Sequence, residues 1–392
     1  MTKRILCLLG LTAAFVVGGC NDSSSPSGGS GGAGGTAGAA GFGGAGGAET
    51  SPIVVTADWL NHSLSVLDYD KLIDGNSDAA AALVRTIALS EWEPGPVELE
   101  VTPDGKTAVV SIGPAFFDGL PGLVGDPEIP PGGALLIVDL ETGDAVEVET
   151  EDVPMGIAIS PDGNTAYTAN YGTNGARGDS LSIVDIPGRQ LIRDVTVGGG
   201  PEQVALSADG TLGIINIVSG GGVRVFQTSD VEGTLSEVVA TGNDPSDLCF
   251  LGGNDFAVVV NTQSFNLTLL DTSDPSAPMA LESTPIGVGL PYGATYVPAR
   301  DEILATAAST SPNSPTNLVT FTRDGDSLSA SPPLELAGRN FPLTAAADSD
   351  GDFAFVAHIV DHALSIIELD TGEVRAIEWL SEPGPSYVAV QP

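Results

Sequence analysis

The sequence predicts an all-β fold, a seven-bladed β-propeller of four-stranded antiparallel blades, closed by a C-terminal strand that joins blade one. Three observations predict it. A proline recurs ahead of an apolar strand at Pro96, Pro154, Pro201, Pro245, Pro291, Pro342 and Pro385, with a period of about 48 residues that falls in the range of propeller blades. Each period divides into short apolar or alternating runs separated by turn residues. The first period lacks its opening strand and the last consists of nothing else, so the two chain ends complete one blade between them and hide their edges.

The unit is clearest in blade three. Strand a covers 156–160 and ends in the turn Pro161-Asp162-Gly163; strand b covers 165–170, strand c 180–185 and strand d 191–197. An Asp-Gly pair at a tight hairpin turn supplies the positive φ such a turn needs. The same pair stands at Asp104-Gly105, Asp209-Gly210 and Asp350-Gly351. Strand c recurs over 64–68, 136–139, 267–271 and 364–367. Residues 53–56 match strand b, which opens blade one without a strand a. Residues 386–392 match strand a and supply the missing piece.

Taken together, Pro-x-x-Val-Ala-x-Ser-Pro-Asp-Gly-x-x-Ala-Tyr-x-Ala-Asn followed by Leu-Ser-Ile-Val-Asp resembles the YVTN-type β-propeller repeat over residues 52–392. The likeness is strong in blades three and seven. It is weak in blades five and six, where Gly252-Gly253-Asn254-Asp255 and Ala299-Arg300-Asp301 replace the usual turn. The resemblance implies a fold; propellers host many activities, so it does not imply one function.

Ahead of the repeats the chain has two further parts. Residues 1–19 read as a signal peptide, with basic Lys3 and Arg4 and an apolar run over 5–17 that is too short to span a bilayer comfortably. Val17-Gly18-Gly19-Cys20 resembles the lipobox of bacterial lipoproteins. That resemblance implies cleavage before Cys20 and lipid on its sulfur, anchoring the chain at roughly 0.8 kcal/mol for each buried methylene. Residues 20–51 read as the lipidated cysteine and a flexible linker. Over 21–50 there are 12 Gly, 6 Ala and 5 Ser, too little apolar surface to offset ordering. The expected root-mean-square reach is about 30 Å.

Without the leader the chain carries 11 basic residues against 51 acidic ones, a formal charge of −40. Such a surface repels phosphate backbones and anionic headgroups, which excludes nucleic acid as a partner class and leaves the lipid anchor as the expected membrane contact. Of the three cysteines Cys7 falls in the leader and Cys20 is the anchor, so Cys249 reads as a small buried residue.

The alternation of strand directions puts the b–c and d–a connections on one face, here the upper one. The long b–c loops, near 113–133, 171–179 and 309–316, gather there, and insertions on one face of a repeat protein often mark its binding side. Phe116 and Phe117 on the longest loop either meet a partner or pack on their own blade. The second residue after each proline is expected at the axis near the upper mouth, which nominates Glu98, Gln203, Asp247 and Tyr387, with Tyr292 and Tyr171 beside them. Carboxylates in a concave site suit Ca²⁺ or another divalent cation; a water-filled polar channel is the alternative.

The three histidines supply one more constellation. His62 and His362 occupy equivalent b–c turns of blades one and seven, and His358 and Asp361 lie close by. They form a candidate metal or redox-cofactor site at the closure seam if their side chains converge; otherwise they share a position because the blades repeat. No nucleophile elbow, P-loop or Cys-x-x-Cys is present. The expected function is a binding or scaffolding module at the bacterial cell envelope, probing another envelope protein or a polysaccharide as a monomeric propeller. The alternatives are a lactonase-like hydrolase and a metal- or cofactor-binding propeller.

Overall fold

Turn chemistry sets the repeat. In blade two Thr102 Oγ1 donates to Asp104 Oδ1 at 2.7 Å and Gly105 follows at φ +72°. Ser160 with Asp162 and Ser207 with Asp209 repeat the arrangement at 2.6 and 2.9 Å, with Gly163 and Gly210 at φ +74° and +70°. The short side chain caps the turn and glycine takes the left-handed backbone. Each such turn folds strand a back onto strand b.

The computed structural model describes residues 52–75, 78–113, 133–173, 176–309, 316–336, 342–379 and 383–391. These form seven antiparallel sheets, each with strand order a-b-c-d. The a strands are Pro96–Val101, Pro154–Ile159, Val204–Leu206, Pro245–Phe250, Leu290–Val297, Pro342–Ala347 and Pro385–Gln391 for blades two to seven and then one. The last of these pairs with Ile53–Asp58, in a register that sets Val54 opposite Val390 and Val55 opposite Ala389. The chain therefore closes as the repeat count predicts. Each a strand also touches the a strands of the two neighbouring blades, so the ring is complete.

Burial follows the strand period of two. In strand b of blade five, Ala257 and Val259 pack toward blade four, while Val258 and Val260 pack toward blade six. Among the described residues the core divides into seven apolar clusters, one for each pair of adjacent blades. No blade keeps an uncovered face, because closure gives every sheet two neighbours.

Two blades depart from the pattern for local reasons. The d strand of blade six breaks into Ser327–Ala330 and Leu334–Glu335, with Pro332 and Pro333 between them. Proline has no N–H to offer the ladder, so pairing stops and resumes. Blade one carries two short helices between its c and d strands, α1 (Tyr69–Ile73) and α2 (Ala79–Ala82). Their Leu72, Ala79 and Ala82 are buried with Phe355 and Leu364 of blade seven. Tyr69 Oη donates to Asp348 Oδ2 at 2.5 Å, so the insertion straps the seam.

Candidate functional site

The second residue after each repeat proline does reach the axis. At this level Glu98, Gly156, Gln203, Gly293 and Thr344 are buried, and Asp247 and Tyr387 are partly open. Two glycines decide the layout. A Cβ on Gly156 would stand 2.2 Å from Gln203 Oε1 and 2.6 Å from the Glu202 carbonyl oxygen. With no side chain there, Gln203 of blade four reaches across blade three and its Nε2 donates to Glu98 of blade two. Gly293 does the same for blade six: its absent Cβ would lie 2.7 Å from the Leu343 carbonyl oxygen and 3.4 Å from Asp247 Oδ2. Asp247 extends over it, and its Oδ2 accepts from the Ala294 N–H at 2.8 Å. Its Oδ1 accepts from the Leu248 N–H at 2.8 Å.

This layer ends a cavity of about 400 Å³. Gln203, Asp247, Thr344 and Tyr387 line its inner end, with Glu100, Ala158, Ala205, Cys249 and Thr295 one step along the strands. Its other end reaches the a–b turns at Pro161, Ala208, Gly252 and Pro298. The described cavity thus opens on the face opposite the long b–c loops. Loop length points to the upper face because it reports where insertions are tolerated. The width of the axial funnel instead depends on which side chains fill the inner strands, and small residues leave it open below.

Crowded carboxylates give the cavity its electrostatics. Burial pushes Asp247 up to about 7, against the pull of its two backbone N–H donors. Burial and then Asp247 push Glu100 up to about 7. Glu98 rises well above the ordinary carboxyl range through burial and the charges of Asp247, Glu202 and Glu100, only partly offset by Gln203. The Tyr387 hydroxyl rises for the same causes. Desolvation and like charges thus displace several proton affinities together at this end of the cavity.

Above the constriction lies a second group. Arg177 rests on the Tyr171 ring, 4.0 Å from its centroid. Its charge is felt by Glu202 and Asp244. Those two acids in turn raise Tyr292 beyond the effect of its burial. Of the residues nominated from sequence, Glu98, Gln203, Asp247 and Tyr387 come together around the axis, while Tyr171 lies against Arg177 and Tyr292 lies near Asp244 and Glu202. Phe116, Phe117 and Cys20 lie outside the described residues. Glu202, Asp244 and Arg177 are additional. The first two flank repeat prolines, so their level was legible, but nothing in the sequence indicates that Arg177, at the start of strand c of blade three, acts on them.

The histidines do not converge on a metal. His62 Nδ1 lies 3.4 Å from Glu93 Oε2. His362 Nδ1 accepts from the Gly384 N–H at 3.2 Å. His358 is fully buried in strand b of blade seven, with Nε2 2.7 Å from Ser365 Oγ. Among the described residues no group of three or more His, Cys, Asp and Glu side chains is placed to hold a metal ion, which includes Asp361 and the axial carboxylates. His62 and His362 match because the tight b–c turn needs a left-handed residue there. Their φ values are +46° and +52°, and Gly221 and Phe265 fill the same place in blades four and five at +62° and +56°.

No family model and no curated protein matches the sequence. Solved structures do. A functionally unknown protein from Desulfotomaculum acetoxidans is 16% identical with a TM-score of 0.67, covering 87% of this chain and 99% of that one. A periplasmic gluconolactonase from Pseudomonas aeruginosa is 16% identical, TM-score 0.65, with 87% and 99% covered. A putative 6-phosphogluconolactonase from Bacteroides fragilis is 14% identical, TM-score 0.64, with 87% and 98% covered. Likeness at this identity establishes the seven-bladed fold and leaves the YVTN-type resemblance as one of fold.

Proposed function

We propose that this chain is a ligand-binding propeller of the bacterial cell envelope, held there by lipid on Cys20 and the linker that follows. The observation that carries the binding role is the axial cavity: about 400 Å³, ended by the Glu98–Gln203 contact and opening at the a–b turns. Small-molecule sites are concave, largely preformed and furnished with a few convergent polar groups. This cavity has apolar walls at Leu248, Phe250 and Ala294, and polar groups at Gln203, Asp247, Glu100 and Tyr387. The proposed partners are an envelope protein or a polysaccharide, met as a monomer. The anchor rests on the lipobox resemblance. Fatty-acid labelling of the wild type, lost in Cys20→Ser, tests it, and a chain that takes no label refutes it.

Lactone hydrolysis is a second reading, favoured by one observation. Asp247 and Glu100 are both pushed to about 7, which suits a general acid and a general base at neutral pH. Two of the similar structures are a gluconolactonase and a putative 6-phosphogluconolactonase. Assay of the purified protein on glucono-1,5-lactone separates the two readings. Turnover lost in both Asp247→Asn and Glu100→Gln supports hydrolysis. Saturable binding with no turnover supports the binding module.

A further inference from the structure

We infer that the axial cavity selects a small organic cation, an ammonium group on a compact polar frame, and turns away carboxylated and phosphorylated molecules of the same size. The inference rests on the reading of this cavity as the ligand site and specifies what that site takes.

The walls carry the argument. Among the described lining residues the charged ones are Glu100 and Asp247, and no Lys, Arg or His stands with them. Glu98 and Glu202 stand behind, interacting with the same acids and both raised well above the ordinary carboxyl range, so they bring no positive charge to the region. Arg177, whose charge acts on Glu202, belongs to the mouth above the constriction and is engaged by the Tyr171 ring. An anion entering from the a–b face therefore meets like charge with no counter-ion. An ammonium ion meets a carboxylate already fixed in place, because two backbone N–H groups hold both Asp247 oxygens. Such a site needs little reorganisation to bind.

Aromatic rings supply the rest. Tyr296, Tyr387 and Phe250 line the same space. Ring faces attract cations, more strongly where water is excluded. Leu248, Ala205 and Ala294 offer apolar surface to a carbon frame. Burial holds protons on both wall carboxyls near neutral pH, with the charge of Asp247 adding to it at Glu100, and a bound ammonium ion opposes this by stabilising the ionised form. The volume, about 400 Å³, sits at the small end of ligand sites and fits a monosaccharide-sized molecule.

Three probes of similar size carry a positive charge, no charge and a negative charge: D-glucosamine, D-glucose and D-gluconate, the last an open-chain acid. Titration calorimetry on the full-length protein in detergent, at about 0.15 M salt to screen the acidic exterior, compares them. Glucosamine is expected to bind at one site at least tenfold more tightly than glucose, with gluconate weakest. Asp247→Asn and Glu100→Gln are each expected to weaken glucosamine at least tenfold. A triple variant of exposed acids, Glu147→Gln, Glu149→Gln and Glu151→Gln, is expected to change it less than twofold. Equal loss in the triple variant, with none in the cavity variants, means attraction to the outer surface and overturns the inference. Glucose or gluconate binding as tightly as glucosamine, and displaced by cavity variants, overturns the cation class alone and leaves the cavity as the ligand site. No binding by any of the three overturns both.

Discussion

Replacing Glu100 by Gln tests the electrostatic account of the cavity, because Glu100 has no hydrogen bond to lose among those that define its surroundings. Its carboxyl is pushed from an ordinary 4.5 to about 7, by burial first and by Asp247 second. A carboxyl whose proton affinity is higher in the folded state stabilises the fold fully below 4.5. That contribution fades as pH rises from 4.5 to 7, and above 7 the buried charge is a standing cost. At about 1.4 kcal/mol for each tenfold change in proton affinity, the ceiling is about 3.5 kcal/mol. Glu100 keeps some contact with cavity water, so about half of that, roughly 1.5–2 kcal/mol, is expected. Glu100→Gln should therefore raise the melting temperature at pH 8 by roughly 2–3 °C and leave it almost unchanged at pH 4. Thermal unfolding followed by circular dichroism across pH 4–8 is the assay. A variant destabilised equally at both ends, or a wild type that gains stability from pH 5 to 8, refutes the reasoning.

Other changes probe the frame around the site. Gly156→Ala should destabilise by about 2–3 kcal/mol or more, since the new Cβ falls 2.6 Å from both the Glu202 carbonyl oxygen and Gln203 Cα. Gly253→Ala, with nothing within 4 Å, should be nearly silent, and denaturant titration compares the two. His62→Val should cost about 1–2 kcal/mol because a β-branched residue resists φ +46°, while His62→Asn should cost little; equal costs would mean the imidazole and not the backbone matters. Tyr69→Phe, which removes the donor to Asp348, should speed hydrogen exchange in 385–391 ahead of the other a strands, and uniform exchange would show that the strap does not guard the seam.

The ring was legible because its signals are local and repeated. A proline and a period of two recur in each blade, an Asp-Gly turn recurs in four of them, and the mismatch of the chain ends dictates closure between 385–391 and 53–58. The axial layer was legible for the same reason: counting two from each proline lands on Glu98, Gln203, Asp247 and Tyr387. What lies in that layer was less so. Gln203 meets Glu98 only because Gly156 leaves a gap in the blade between them, a relation across three blades that no single repeat displays. The open end of the described cavity, at the a–b turns, was not legible from loop length, which records insertions and not the size of the side chains that fill the axis. The histidine pair shows the opposite hazard. Equivalent positions in neighbouring blades look like convergence, yet a left-handed turn residue turns His362 to the Gly384 amide and His62 to Glu93.

Anomalous diffraction from crystals soaked in 4-bromobenzylamine locates an ammonium ligand directly. The account predicts one strong bromine peak inside the axial cavity, with the amine beside Asp247 and the ring against Tyr296 or Tyr387. Peaks confined to the acidic outer surface, with the cavity holding only water, would contradict it.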